Sequence, residues 1–167
     1  MKKLLSLVLC VALMASLTVA FAQAEPSPVV VEKAMAYLAG YDGAKYTIKA
    51  PDFFAKIDAG EDMMILDIRQ PDAYAESHVK GAINVPFGNT IAEKLANIPN
   101  DVQLYVYCYT GQTASQTTAL LNVAGKFATN VQGGFNNGIS ATEGFEKYVT
   151  TEAGPELPAD TYAVDPD

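Results

Sequence analysis

The 167-residue sequence is nearly devoid of the side chains that metal centres and acid–base sites draw on. It has one arginine, Arg69, one histidine, His78, and two cysteines, Cys10 and Cys108; tryptophan is missing altogether. So few imidazoles and thiols fall short of the usual nitrogen and sulfur ligand set, and neither a metal site nor a cofactor is expected. Positive charge is scarce as well: 11 basic residues against 19 acidic ones leave a formal net charge of −8. A chain of that sign lacks the basic footprint of a nucleic-acid binder and is not drawn to anionic lipid.

The long hydrophobic run lies at the N-terminus. Met1-Lys2-Lys3 is a short basic start, and Leu4 to Ala22 is uncharged and mostly apolar. Both Ala20-Phe21-Ala22 and Ala22-Gln23-Ala24 place small residues where a signal peptidase reads. Residues 1–22 therefore read as a cleaved secretory signal, and the location as periplasmic or secreted. An uncleaved anchor is the rival, since a run of 19 residues nearly spans a bilayer. No basic stop signal follows it, so no stable membrane insertion is expected after cleavage. Losing Lys2 and Lys3 removes two of the positive charges and takes the net charge from −8 to −10. Cys10 falls inside the run as apolar filler, which leaves Cys108 as the one thiol and no internal disulfide. An unpaired cysteine in an oxidising compartment is a liability unless it is buried or used.

What remains suffices for one domain with one core. Residues 23–44 hold a stiff linker, Glu25-Pro26-Ser27-Pro28, and a helix over Val29–Ala39 that Gly40 ends. The domain proper, residues 45–150, alternates strand and helix. Strands are predicted at Tyr46–Ile48, Met63–Ile68, Ala82–Asn84, Val102–Tyr107 and Thr129–Val131. Helices are predicted from Pro51 to Ala59, Pro71 to Glu76, Thr90 to Ala96 and beyond Ala114, with a last helical piece near Thr142–Tyr148. That alternation argues an α/β fold with a largely parallel sheet. Glu152 to Asp167 carries three prolines and five acids, and residues 151–167 read as a mobile acidic tail.

The chemistry concentrates at Val102 to Ser115. An apolar, aromatic strand runs into Cys108, then into the turn Tyr109-Thr110-Gly111-Gln112-Thr113, then into a helix. A cysteine at a strand exit, under a loop feeding a helix N-terminus, meets orphan N–H groups and the positive end of a helix dipole. The anion favoured first is its own thiolate, so the pKa of Cys108 is expected to fall without help from a histidine. Backbone N–H donors from Tyr109, Thr110, Gly111, Gln112, Thr113 and Ala114 can curl round the sulfur, and Gly111 supplies the positive φ such a loop needs.

Four stretches then stand in one order: I-L-D-I-R-Q-P-D-A-Y at 65–74, S-H-V-K-G-A-I-N-V-P at 77–86, V-Y-C-Y-T-G-Q-T-A-S at 106–115 and Q-G-G-F at 132–135. From Tyr46 to Gly138 the chain resembles a single-domain rhodanese. The resemblance implies a three-layer sandwich of about five mostly parallel strands with helices on both faces. It implies a sulfurtransferase or sulfur carrier in which Cys108 takes a sulfane sulfur as a persulfide. The partners it implies are a donor (polysulfide, thiosulfate or a protein persulfide) and a nucleophilic acceptor. Arg69 reads either as a substrate clamp or as a structural group paired to Asp72 or Glu76 on the next short helix, and the resemblance favours the second by placing Asp67 and Arg69 as scaffold beside the site.

Two departures sharpen the reading. Thiosulfate-using rhodaneses carry a basic residue after the cysteine and often another at the loop's end, where this chain has Tyr109 and Thr113. Weak thiosulfate:cyanide activity is therefore expected, with Tyr109 and Gln112 shaping the entry of another donor. Related phosphatases need an arginine beyond the five residues that follow the cysteine; Ala114 stands there, which disfavours phosphate-ester chemistry. His78 reads as a structural group, because a thiolate poised by amides requires no base. The other class to weigh is a catalytically silent module of the same fold, used for binding or redox sensing.

Overall fold

The computed structural model describes residues 27–42 and 45–162. Helix α1 (Pro28–Ala39) opens it and lies on the outside, with no buried residue. Then come β1 (Thr47–Ile48), α2 (Ala50–Asp58), β2 (Met63–Asp67), α3 (Pro71–Glu76), β3 (His78–Val79) and β4 (Ala82–Asn84). Helix α4 (Asn89–Lys94) runs into the tight turn Leu95–Asn97, followed by β5 (Gln103–Tyr107), α5 (Gln112–Val123) and β6 (Phe127–Val131). A wide turn at Gly134–Ile139, a second tight turn at Phe145–Tyr148 and β7 (Val149–Thr150) complete the domain.

Five strands form one sheet in the order β1-β6-β5-β2-β4, and every neighbouring pair is parallel. Alternation along β5 divides the core. Tyr105 and Tyr107 face one side, with Phe53 and Phe54 of α2; Leu104, Val106 and Cys108 face the other, with Ala114 and Leu121 of α5. Strand β5, central and buried on both faces, is the apolar run that the sequence singled out. The α/β three-layer architecture is thus as expected. Among the described residues, no helix is long and apolar enough to cross a membrane.

The structure differs from expectation in three places. The last helical piece, expected near 142–148, is cut down to one 3-10 turn, Phe145–Tyr148, because Gly144 takes φ +76° and breaks the helical path ahead of it. The chain then pairs β7 antiparallel with β3, Val79 opposite Val149, a two-residue ladder too short to leave a sequence pattern. The segment 151–162, expected to be a mobile tail, is docked. Gly154 sits where a Cβ would be 2.0 Å from the Tyr74 hydroxyl, and Leu157 packs on the core. Asn97 Nδ2 donates to the carbonyls of Pro158 and Asp160, and Tyr162 N–H donates to Ala96 O at 2.6 Å. A polar, proline-rich stretch is held here by long-range contacts that composition does not reveal. The signal read at 1–22, the start of the linker and residues 163–167 lie outside the described residues.

Candidate active site: a thiol in a ring of donors

Cys108 is the first residue past β5, and the residue is 3 % exposed. Gly111 N–H donates to its Sγ at 3.1 Å. Burial alone would raise the thiol's pKa. The Thr113 hydroxyl and the N–H groups of Ala114, Thr110 and Gly111 act against burial and outweigh it, so Cys108 titrates below its ordinary value. All four of these donors are uncharged. Gly111 caps α5 with φ +88°, and that left-handed turn aims the first amides of the helix back at the sulfur.

The ring is braced from outside. Phe135 N–H donates to Cys108 O at 2.7 Å, and Asn136 N–H to Tyr109 O at 2.9 Å. Gly134, at φ +60°, lies so close that a Cβ there would stand 2.5 Å from Cys108 O and 2.7 Å from Gly111 N. Only glycine fits. Behind the loop, Asn130 Nδ2 donates to Ser115 Oγ (3.0 Å), which donates to Gly111 O (2.8 Å).

The structure gathers the sequence-derived residues in different ways. Thr110, Gly111, Thr113 and Ala114 face the sulfur with an amide or hydroxyl. Gln112 is exposed and begins α5, two residues earlier than the sequence suggested, because the Gly111 cap draws it and Thr113 into the helix. Tyr109 is 39 % exposed at the mouth, its hydroxyl accepting from Gln70 N–H at 3.3 Å. Sequence reasoning missed the Thr113 side chain as a donor; a hydroxyl at the second position of a capped helix was the available signal.

Asp67 and Arg69 pair with each other, and neither Asp72 nor Glu76 is the partner. Arg69 Nε and Nη2 clasp the Asp67 carboxylate at 2.6–3.1 Å, and Nη2 also donates to Ser77 O at 2.6 Å. Residues two apart on an extended chain share a side, which brings them together before any helix residue can reach. The guanidinium lies 3.9 Å from the Phe135 ring centroid, and both residues are buried. Burial works against the Arg69 charge, but the Asp67 carboxylate prevails and raises its pKa. The sole arginine is thus held as scaffold. His78 is buried too, stacked on Tyr74 at 3.7 Å, with its Nδ1 at 2.8 Å from the Tyr74 carbonyl. A carbonyl can only accept, so Nδ1 carries the proton.

A parallel sheet, a cysteine at its carboxyl edge and a loop of inward amides match a known family. Residues 50–141 fit the model of the rhodanese-like domain. The chain belongs to the rhodanese-like family. Over 93 residues it is 30 % identical to the putative sulfur carrier protein YrkF of Bacillus subtilis (strain 168), covering 54 % of this chain and 49 % of that protein. It is 32 % identical over 94 residues to the thiosulfate sulfurtransferase GlpE of Pseudomonas entomophila (strain L48), covering 56 % of this chain and 77 % of the relative. The chain thus spans about half the length of the Bacillus protein. The crystal structure of a rhodanese-related protein from Thermoplasma volcanium superposes with a TM-score of 0.52 at 25 % identity, over 64 % of this chain and 98 % of the other. Rhodanese-like relatives named as sulfurtransferase and sulfur carrier place the chain in a sulfurtransferase family.

Proposed function

We propose that this rhodanese-like chain moves sulfane sulfur through a persulfide on Cys108. The carrying observation is the sulfur's setting: Sγ accepts from Gly111 N–H, with the Thr113 hydroxyl and two further amides lowering its pKa. The Cys108 thiolate attacks the outer sulfur of a donor such as a polysulfide. An S–S bond forms at Cys108, the donor's own bond to that sulfur breaks, and the leaving group departs with the electron pair. An acceptor thiolate then attacks the terminal sulfur, and Cys108 leaves as thiolate. Each step exchanges one bond to sulfur for another, and the transfer needs no outside oxidant or reductant. The loop donors hold the single negative charge of the persulfide as an oxyanion hole holds oxygen.

Donor preference follows from charge. Arg69 is spent on Asp67, and Tyr109 and Thr113 stand where a basic side chain would grip a dianion. A hydrogen bond to a charged group is worth about 1.5–3 kcal/mol, so each missing cation weakens thiosulfate binding by roughly ten- to a hundredfold. Polysulfide or a persulfide on another protein suits the neutral loop better, and thiosulfate:cyanide turnover is weak. The N-terminal apolar run motivates placing this chemistry in the periplasm or outside the cell. Intact mass after exposure to polysulfide tests the reading. A gain of one sulfur atom is expected on the native chain and not on Cys108→Ser. No gain, with an alkylation midpoint at or above the ordinary thiol value, would leave a silent binding or redox-sensing module.

A further inference from the structure

A concavity opens at the β4 margin, between the sheet and the docked segment. It holds about 520 Å³, within the size range of small-molecule sites. Residues from α3, β4, α4 and 153–157 line it. Two of the lining side chains carry charge, Lys94 at the end of α4 and Glu156 on the docked segment. Both are exposed, and neither charged group has a partner among the described residues. A cation and an anion from separate elements thus share one cavity without neutralising each other.

The floor is the free edge of the sheet. Val85 N–H donates inward to Asp67 O at 3.0 Å. Successive residues of a strand turn their main-chain groups to opposite sides, so Asn84 directs its N–H and C=O outward, where β4 has no neighbouring strand. The docked segment covers this edge only in part. Ala82 O accepts from the Tyr74 hydroxyl at 2.6 Å and lies beside Gly154, whereas half-buried Asn84 lines the cavity. No hydrogen bond among the described residues satisfies the Asn84 main-chain groups. Ile83 and Leu157 give the cavity an apolar side.

We propose that this cavity binds a free α-amino acid with an apolar side chain. The ligand's ammonium donates to Asn84 O and pairs with Glu156, and its carboxylate accepts from Asn84 N–H and pairs with Lys94. The two main-chain bonds are those that opposed residues of a β-ladder exchange. Its side chain lies against Ile83 and Leu157. A ligand with one charge leaves either Lys94 or Glu156 without a counterpart, and a free anion also meets the repulsion of a chain of net charge −8. A zwitterion answers both charges and carries no net charge of its own. Ion pairs this exposed are weak, so binding falls in about the millimolar range.

Amide NMR on the isotope-labelled full chain tests this independently of sulfur transfer. The probe is L-leucine, with isocaproate, which lacks the ammonium, and isoamylamine, which lacks the carboxylate. Leucine should shift the Asn84, Gly154 and Leu157 amides and saturate at millimolar concentration, and each analogue should bind about three- to tenfold more weakly. Lys94→Met and Glu156→Gln alter exposed side chains, and each should weaken leucine about two- to fivefold. Glu156→Gln should also weaken isoamylamine while leaving isocaproate no weaker, and Lys94→Met should do the reverse. The proposal is overturned if leucine moves none of these amides at concentrations on the order of 100 mM. It is equally overturned if either analogue binds as tightly as leucine, or if either variant weakens both analogues alike or leaves leucine unchanged.

Discussion

Replacing Thr113 by valine keeps the side chain's shape and removes one donor from the sulfur. The hydroxyl does the most to hold the Cys108 pKa down against burial, with the amides of Ala114, Thr110 and Gly111 behind it. It stabilises the thiolate, so its loss makes the proton harder to remove and the midpoint moves up. A hydrogen bond to an ionised acceptor is worth about 1.5–3 kcal/mol, and one pKa unit is about 1.4 kcal/mol. The expected rise is therefore about one to two units. Each unit lowers the thiolate fraction at neutral pH about tenfold, but a more basic thiolate is intrinsically more nucleophilic and recovers about threefold. Net alkylation at neutral pH should fall about three- to tenfold. Iodoacetamide labelling against pH reads both midpoint and plateau, and Thr113→Ser should restore the native curve. A valine midpoint within about 0.3 unit of the native one would refute the claim that this hydroxyl holds the thiolate.

Three other perturbations follow from the same geometry. Gly134→Ala and Gly60→Ala both force alanine into positive φ, at +60° and +66°, but only position 134 places the new Cβ against backbone while position 60 is open. Gly60→Ala should cost about 1–2 kcal/mol in urea denaturation, whereas Gly134→Ala should cost clearly more and raise the Cys108 alkylation midpoint; equal losses would sink the close-approach argument. Arg69→Met leaves a buried carboxylate unpaired and should cost about 3–5 kcal/mol, and adding Asp67→Asn should recover part of that loss, a non-additivity read by chemical denaturation. Tyr109→Arg supplies the missing cation at the mouth and should lower the thiosulfate KM by about tenfold or more, leaving polysulfide loading by mass unchanged; an unaltered KM would mean charge is not what limits thiosulfate.

Much of the fold was legible because its signals are local. The V-Q-L-Y-V-Y run could only be a strand buried on both faces, and Pro51 and Pro71 fall within the first two positions of α2 and α3 as the sequence predicted. The cysteine's place at the strand exit came from the same reading. What was hidden depends on contacts between distant segments. The β3–β7 ladder is two residues long, and the docking of 151–162 rests on single groups such as Asn97 and Leu157. In the site, the braces from Phe135 and Asn136 and the Asn130–Ser115 link join residues 15 or more positions apart. The Asp67–Arg69 clasp is the exception, since strand alternation makes it readable although acids on the following helix stand as rival partners in the sequence.

The docked segment also closes a border. Strand β4 is one margin of the sheet, and the chain around Gly154 lies beside Ala82 there, in the place another molecule's strand would need. At the opposite margin β1 offers only two residues. A sheet whose open rims are this short gives little template for strand exchange or fibre growth. Such a protein can keep a thiol at the carboxyl edge of its sheet while its own backbone stays closed to neighbours.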